Sequence, residues 1–186
     1  MKTILNHFDS VVRLALRNYA RAEDALTDAV SSGDQEAADD ARQAVMLAAR
    51  QAVDVLHHFA DFVLKEPSTF SFAKIEDVRA ALTAQCVFLR TTTAADDVTL
   101  LRDVADAFKH HKPDRPSASV VVSTDVVPAG RGWGTLRWSE GKWGGVEQVI
   151  LTMRNGDRRA LSSVLQNVFD AWMTLLRQPL PPINQF

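Results

Sequence analysis

Residues 26–56 read LTDAVSSGDQEAADDARQAVMLAARQAVDVL, and the fold turns on how that stretch is parsed. Gly33 tolerates the left-handed conformation that ends helices, and Asp34 behind it is a good N-cap for a new one. Upstream, Ile4, Phe8, Val11, Ala15, Tyr19, Ala22, Leu26 and Ala29 recur at intervals of three and four. Only a long amphipathic helix, over about 3–31, gathers them into one stripe. Downstream, Ala38, Ala41, Val45, Ala48, Ala52, Leu56, Phe59 and Phe62 repeat the spacing and predict a second helix over about 35–65. A turn this short between two long stripes predicts an antiparallel hairpin. The alanines near the turn let the axes approach closely there.

Working outward, Pro67 stops the second helix, and Ile75, Val78, Leu82, Cys86 and Leu89 predict a third over about 73–90. Thr93 and Asp96 form a capping-box-like start for a fourth, about 94–110. Pro113 and Pro116 break the helical regime, and the apolar pattern then changes. The runs SVVVSTDVV (119–127), GWGTLRW (132–138) and VEQVILTM (146–153) predict three antiparallel strands, a β-meander over about 118–154. Asn155-Gly156 ends the last strand. Leu161, Leu165, Val168, Trp172 and Leu175 then predict a final helix over about 159–177 that returns to the bundle, followed by a proline-rich tail, 179–186. The expected fold is α+β: one domain, 1–178, mainly a helical bundle with an inserted meander.

The 186 residues suffice for a single continuous core, and 46% hydrophobic with 24% charged residues is the balance of a soluble globular protein. No apolar run nears the ~18 residues of a membrane span, and MKTILNHFDS has neither the apolar core nor the cleavage site of a signal peptide. A cytoplasmic protein without membrane contact is expected. One cysteine, Cys86, excludes an internal disulfide and a cysteine zinc cluster, and its place in an apolar stripe makes it a small buried hydrophobe. Charge is uneven: residues 1–108 hold 11 Lys and Arg against 17 Asp and Glu, whereas 109–159 hold 9 against 5. The basic stretch suits an acidic partner without requiring nucleic acid.

Two regions carry candidate chemistry. In RDVADAFKHHK (102–112), Asp106 and His110 are four apart, so both lie on one helical face, a spacing usable for metal ligation or acid–base work. At 100° per residue, Asp103, Asp106 and His110 point roughly opposite the stripe Val98, Leu101, Ala105, Phe108. Asp54, His57 and Asp61 on the second helix likewise point away from their own stripe. A metal site built from Asp54, His57, Asp61, Asp106 and His110 therefore needs the outer faces of the second and fourth helices to converge. The plainer reading of Lys109, His110, His111 and Lys112 is that cations at a helix C-terminus complement its dipole. As a small helical bundle the chain resembles the HEPN-type ribonucleases, whose motif is an arginine followed after four to six residues by histidine. Here Arg102 to His110 leaves seven intervening residues and Arg102 to His111 leaves eight, so no catalytic residue carries over.

The second region is GRGWGTLRWSEGKWGG (130–145), which holds three of the four tryptophans and six of the eight glycines. At period two, Trp133 and Arg137 share one face of a strand while Trp138 lies on the other, and glycines beside the indoles leave their faces open. Packing of most of these rings onto the helices competes with a surface on which Arg131, Trp133, Arg137, Trp138, Lys142 and Trp143, with Lys109, His110 and His111 alongside, meet a partner. The glycines do not open a helix after a strand, so they form no dinucleotide fingerprint; with no P-loop or nucleophile elbow either, no cofactor is expected. The function read from the sequence is a non-catalytic interaction module that binds protein, nucleic acid or a second copy of itself through the meander. The alternative is an enzyme, a metal-assisted hydrolase or HEPN-like ribonuclease, using the His and Asp groups of the second and fourth helices.

Overall fold

The computed structural model describes residues 1–66, 70–110, 118, 126–129, 148–183 and 185–186, with 126–129 described in backbone only. The first helical arm comprises α1 (Lys2–His7), a π turn (Phe8–Val12) and α2 (Arg13–Ser32). Its wide π turn makes Val12 the core residue that follows Phe8, and leaves the expected stripe member Val11 36% exposed. Gly33, at φ 78°, ends α2, and the Asp34 carboxylate accepts from the Ala37 N–H to start α3 (Gln35–Lys65). α2 and α3 form the expected hairpin. Ala49, Val53 and Ala60 join the expected stripe of α3, so its buried face is broad.

The third helix is shorter than its periodicity predicts. α4 spans Ile75–Thr83 and is followed by a turn and a 3-10 segment, Phe88–Arg90. Leu89 and Arg90 have φ of 39° and 62°, left-handed values at which the right-handed α-helix cannot continue. α5 spans Asp97–His110, and α6, Leu161–Leu175, starts two residues later than the spacing suggests because a strand precedes it.

The sheet is small and antiparallel, in the order β1 (Val126–Ala129), β2 (Gln148–Thr152), β3 (Arg158–Ala160). The expected meander of the three predicted runs is not confirmed. In a meander the first and third strands run parallel, separated by the second; here the first and third predicted runs pair with each other, antiparallel, Val126 opposite Leu151 and Ala129 opposite Gln148. The predicted middle strand, 132–138, lies outside the described residues. Gly156, at φ 85°, makes the turn that joins β2 to β3.

α6 is buried on nearly every side, and its Trp172 lies at the centre of the core. Trp172 meets Phe59 edge-on at 4.7 Å; Phe59 packs on Phe8 at 5.0 Å, and Phe8 on Phe169 at 5.5 Å. The sheet docks on the hairpin through a buried carboxylate: Glu23 accepts from the Tyr19 hydroxyl at 2.5 Å and from the Val149 N–H at 3.4 Å. Burial, then the Glu23 charge, raises the Tyr19 pKa well above its ordinary value. No helix among the described residues is long and apolar enough to cross a membrane.

Candidate functional site

α3, α4 and α5 pack against one another, which brings Asp106 of α5 within electrostatic reach of His57 of α3. Where they meet α6 there is a crevice of about 10 Å³, lined by Leu56, His57, Ala60, Arg79, Leu82, Val98, Leu101, Val168 and Trp172. That is room for about one water-sized group. His57 is half-buried in it, and its pKa falls from 6.5 to about 4. Desolvation is the main cause; the neighbouring His58 and Arg79 charges reinforce it, and Asp106 and Asp61 oppose it. Near neutrality His57 is therefore an uncharged imidazole, one donor and one acceptor.

The remaining members of the predicted metal set do not gather around that ring. Asp61 lies 3.0 Å from His58 Nδ1 and Asp54 lies 3.5 Å from His58 Nε2, so both carboxylates flank the exposed neighbour instead. Asp106 acts on His57 from α5, while His110 is exposed at the helix end. Among the described residues no group of three or more His, Cys, Asp and Glu is placed to hold a metal ion. Asp103, expected opposite the apolar stripe, is fully buried, because α5 is covered on two sides: Leu100 and Val104 are buried as well as Val98 and Leu101. Lys109 and His110 sit in the last turn of α5, as the dipole reading requires. His111, Arg131, Trp133, Arg137, Trp138, Lys142 and Trp143 lie outside the described residues.

A second constellation had no sequence signal beyond polar residues in an otherwise apolar helix. Asp97, 1% exposed at the start of α5, is gripped by both Arg159 Nη atoms, each at 2.8 Å, and accepts from Asn167 Nδ2 at 2.5 Å. The Asn167 carbonyl accepts from the Leu89 N–H at 2.8 Å, and one helical turn on, Asp170 takes two hydrogen bonds from Arg90, at 2.7 and 3.1 Å. Gln166 donates to Asp170 at 2.8 Å, and Arg90 reaches on to the Pro181 carbonyl. Each buried polar group here has a partner, which is what its desolvation demands. Cys86 lies beside this network, buried as expected, with its thiol pushed up to about 12 by burial first and then by the Asp97 charge. That thiol stays protonated and is no nucleophile.

Arg79 was the residue missed in the crevice: it falls off the apolar stripe of a short helix, and nothing local in the sequence marks it. Compared with known proteins, the chain matches no family model, no curated protein and no solved structure, so the chemistry of these sites is read from the side chains themselves.

Proposed function

We propose that the protein is a non-catalytic interaction module whose contact surface is the segment 130–147 between β1 and β2, binding protein, nucleic acid or a second copy of the chain. The observation that carries this reading is the register of the sheet. Ala129 and Gln148 are partners, so the eighteen residues between them, three of them tryptophans, begin and end at one strand end. That strand end is anchored: Gln148 and Val149 are buried, and Val149 is tied to Glu23. The fourth tryptophan, Trp172, is wholly in the core. Arg131, Arg137 and Lys142 interleave with the rings, the composition of a stacking and phosphate-contacting surface. A strand over 132–138 within the segment belongs to this proposal.

The test is tryptophan emission during titration with a mixed-sequence single-stranded oligonucleotide. Saturable quenching that weakens steeply with salt is expected, since phosphate contacts release counterions. Replacing Trp133, Trp138 and Trp143 together by serine, with binding then read from the anisotropy of a labelled oligonucleotide, is expected to weaken binding at least about tenfold, at about 1–3 kcal/mol per stacked base, with unfolding unchanged. Concentration-dependent sedimentation lost in the same variant would instead identify a second copy as partner. A triple variant that behaves like the parent in both assays rejects the reading.

The enzyme alternative draws on the convergence of α3 and α5, which brings Asp106 within electrostatic reach of His57. Hydrolytic activity that disappears in His57→Ala and His110→Ala, with bound metal in the purified protein, would favour it.

A further inference from the structure

α6 ends at Leu175, and buried Leu176 follows as its C-cap. The Gln178 N–H then donates to the Met173 carbonyl at 2.8 Å and the Arg177 N–H to the Thr174 carbonyl at 3.0 Å, the paired bonds of a Schellman motif. That motif puts the residue after the cap in the left-handed region, where glycine is the usual occupant. Here Arg177 stands there instead, at φ 56°. The hinge between α6 and the stretch that follows is thus short and carries backbone strain.

Beyond the hinge, the contacts of residues 178–186 with the body are gathered at Pro181 and Phe186. Arg90 donates to the Pro181 carbonyl, Arg17 Nε donates to the Phe186 carbonyl at 2.5 Å, and the buried Phe186 ring meets Phe169 edge-on at 5.4 Å. Leu180 and Ile183, both large and apolar, are exposed on either side of Pro181. Pro179, Pro181 and Pro182 forbid a helix and keep the stretch extended before it docks, so docking orders little that was free.

We propose that this stretch exchanges between two copies of the chain: the hinge at Arg177 opens, and each copy seats its Phe186 against Arg17 and Phe169 of the other. Opening lets Arg177 leave the left-handed region, while the bonds at Phe186 and Pro181 re-form on a socket of identical build. Short hinges under strain favour exchange of this kind, and its product is a closed twofold pair. The ten residues 177–186 span up to about 33 Å when extended, enough to cross to an adjoining copy. Where the two stretches cross, Leu180 and Ile183 gain apolar neighbours that a single copy does not give them. The two capping bonds are given up and association costs freedom of motion, so the pair belongs to high rather than low protein concentration. The contact is separate from the segment 130–147 and does not rest on its role.

The test is sedimentation of the full chain after refolding from urea at protein concentrations from micromolar to millimolar. A monomer–dimer equilibrium is expected. Arg177→Gly relaxes the closed hinge in each copy and is expected to raise the dimer dissociation constant about tenfold or more, with a higher melting temperature for the monomer. Arg177→Pro cannot adopt the closed hinge and should lower that constant by a similar factor. Phe186→Ala removes the side chain that is exchanged and should abolish the dimer; if Arg177→Pro fails to fold, this variant and Arg177→Gly still decide. The peptide RQPLPPINQF, residues 177–186, should raise the melting temperature of full-length Phe186→Ala saturably, and the same peptide with alanine for its phenylalanine should not. Trp133→Ser, Trp138→Ser and Trp143→Ser combined should leave the equilibrium as it is, which separates this contact from one made through 130–147. The proposal falls if the chain stays monomeric throughout, if Arg177→Gly and Phe186→Ala dimerise as the parent does, if the peptide leaves Phe186→Ala unaffected, or if the dimer is lost with the three tryptophans.

Discussion

A half-buried histidine with a lowered pKa makes folding sensitive to acid in a defined window. His57 titrates near 4 in the fold and near 6.5 in the unfolded chain, so below 6.5 the unfolded state binds the extra proton. The contribution of the neutral ring is therefore complete above about pH 6.5, declines as pH falls toward 4, and changes no further below that. In His57→Gln this part of the pH dependence of unfolding should vanish, and the imidazole resonances of the parent should titrate with one midpoint near 4. Cys86 gives a second single-residue prediction. Buried and raised to about 12, its thiol should resist a disulfide reagent at pH 8 in the folded protein and react fully once denaturant unfolds it. Thiol reaction at comparable rates in both states would contradict the burial. Asp97 is a costly carboxylate to remove. Asp97→Ala strands the Arg159 guanidinium and the Asn167 amide, and breaking a buried pair in this way costs about 3–5 kcal/mol. The outer side of Arg159 is 22% exposed, which places the expected loss at the lower end, measurable by urea denaturation.

Among the elements, the turn after α4 carries backbone strain that partners on α6 support. A non-glycine residue in the left-handed region costs of order 1–3 kcal/mol, and Leu89 and Arg90 adopt it in succession. What holds them is Asn167, which accepts from the Leu89 N–H, and Asp170, which fixes the Arg90 side chain. Asn167→Ala orphans a backbone donor and removes one ligand of Asp97 together, so it should destabilise by at least about 2 kcal/mol. Amide exchange at Leu89 and Thr91 should rise more than exchange in α3. Uniform loss of protection would mean that the turn is not specifically dependent on Asn167. The same turn explains why the third helix was misread. The spacing Ile75, Val78, Leu82, Cys86, Leu89 is helical over its whole length, and Cys86 is indeed buried, but the hydrogen bonds that win over the last part come from residues 78 and 80 positions away. Period alone cannot register partners at that distance. The hairpin of α2 and α3 was legible because its signals are local: Gly33 and Asp34 at the turn, and stripes that each helix carries by itself. At the sheet, the run 146–153 contains β2, whereas β1 overlaps the run 119–127 only at Val126 and Val127, and the direct pairing of the two strands joins residues too far apart in the chain for local patterning to register.

At the scale of the whole molecule, α6 is the axis on which the other elements are hung, and its polar residues decide how. Asn167 and Asp170 hold the α4–α5 connection, while Asp97 ties β3 to the start of α5, so the sheet and the bundle share one buried network. Of the groups at the α3–α5 junction, His57 and Asp106 were visible in the sequence; Arg79 and the unpaired Trp172 N–H were not, because each belongs to the crevice only through tertiary placement. The chain after α6 closes the structure. Arg177, at φ 56°, turns it out of the helix, Gln178 N–H caps the Met173 carbonyl, and the prolines prevent a new helix. Phe186 then returns to the core at 4% exposure, edge-on to Phe169 at 5.4 Å, and its carbonyl accepts from Arg17 at 2.5 Å. This proline-rich stretch is thus part of the fold, and Phe186 seals one side of the aromatic cluster formed by Phe8, Phe59, Phe169 and Trp172. Phe186→Ala should lose up to the about 3–5 kcal/mol of a core phenylalanine, reduced by whatever collapse a stretch held by few contacts permits. Arg17→Ala, which removes one partly exposed hydrogen bond, should cost about 1 kcal/mol or less. Urea denaturation of the two variants separates the outcomes: if Phe186→Ala costs no more than Arg17→Ala, the ring only rests on the surface and the core is complete without it.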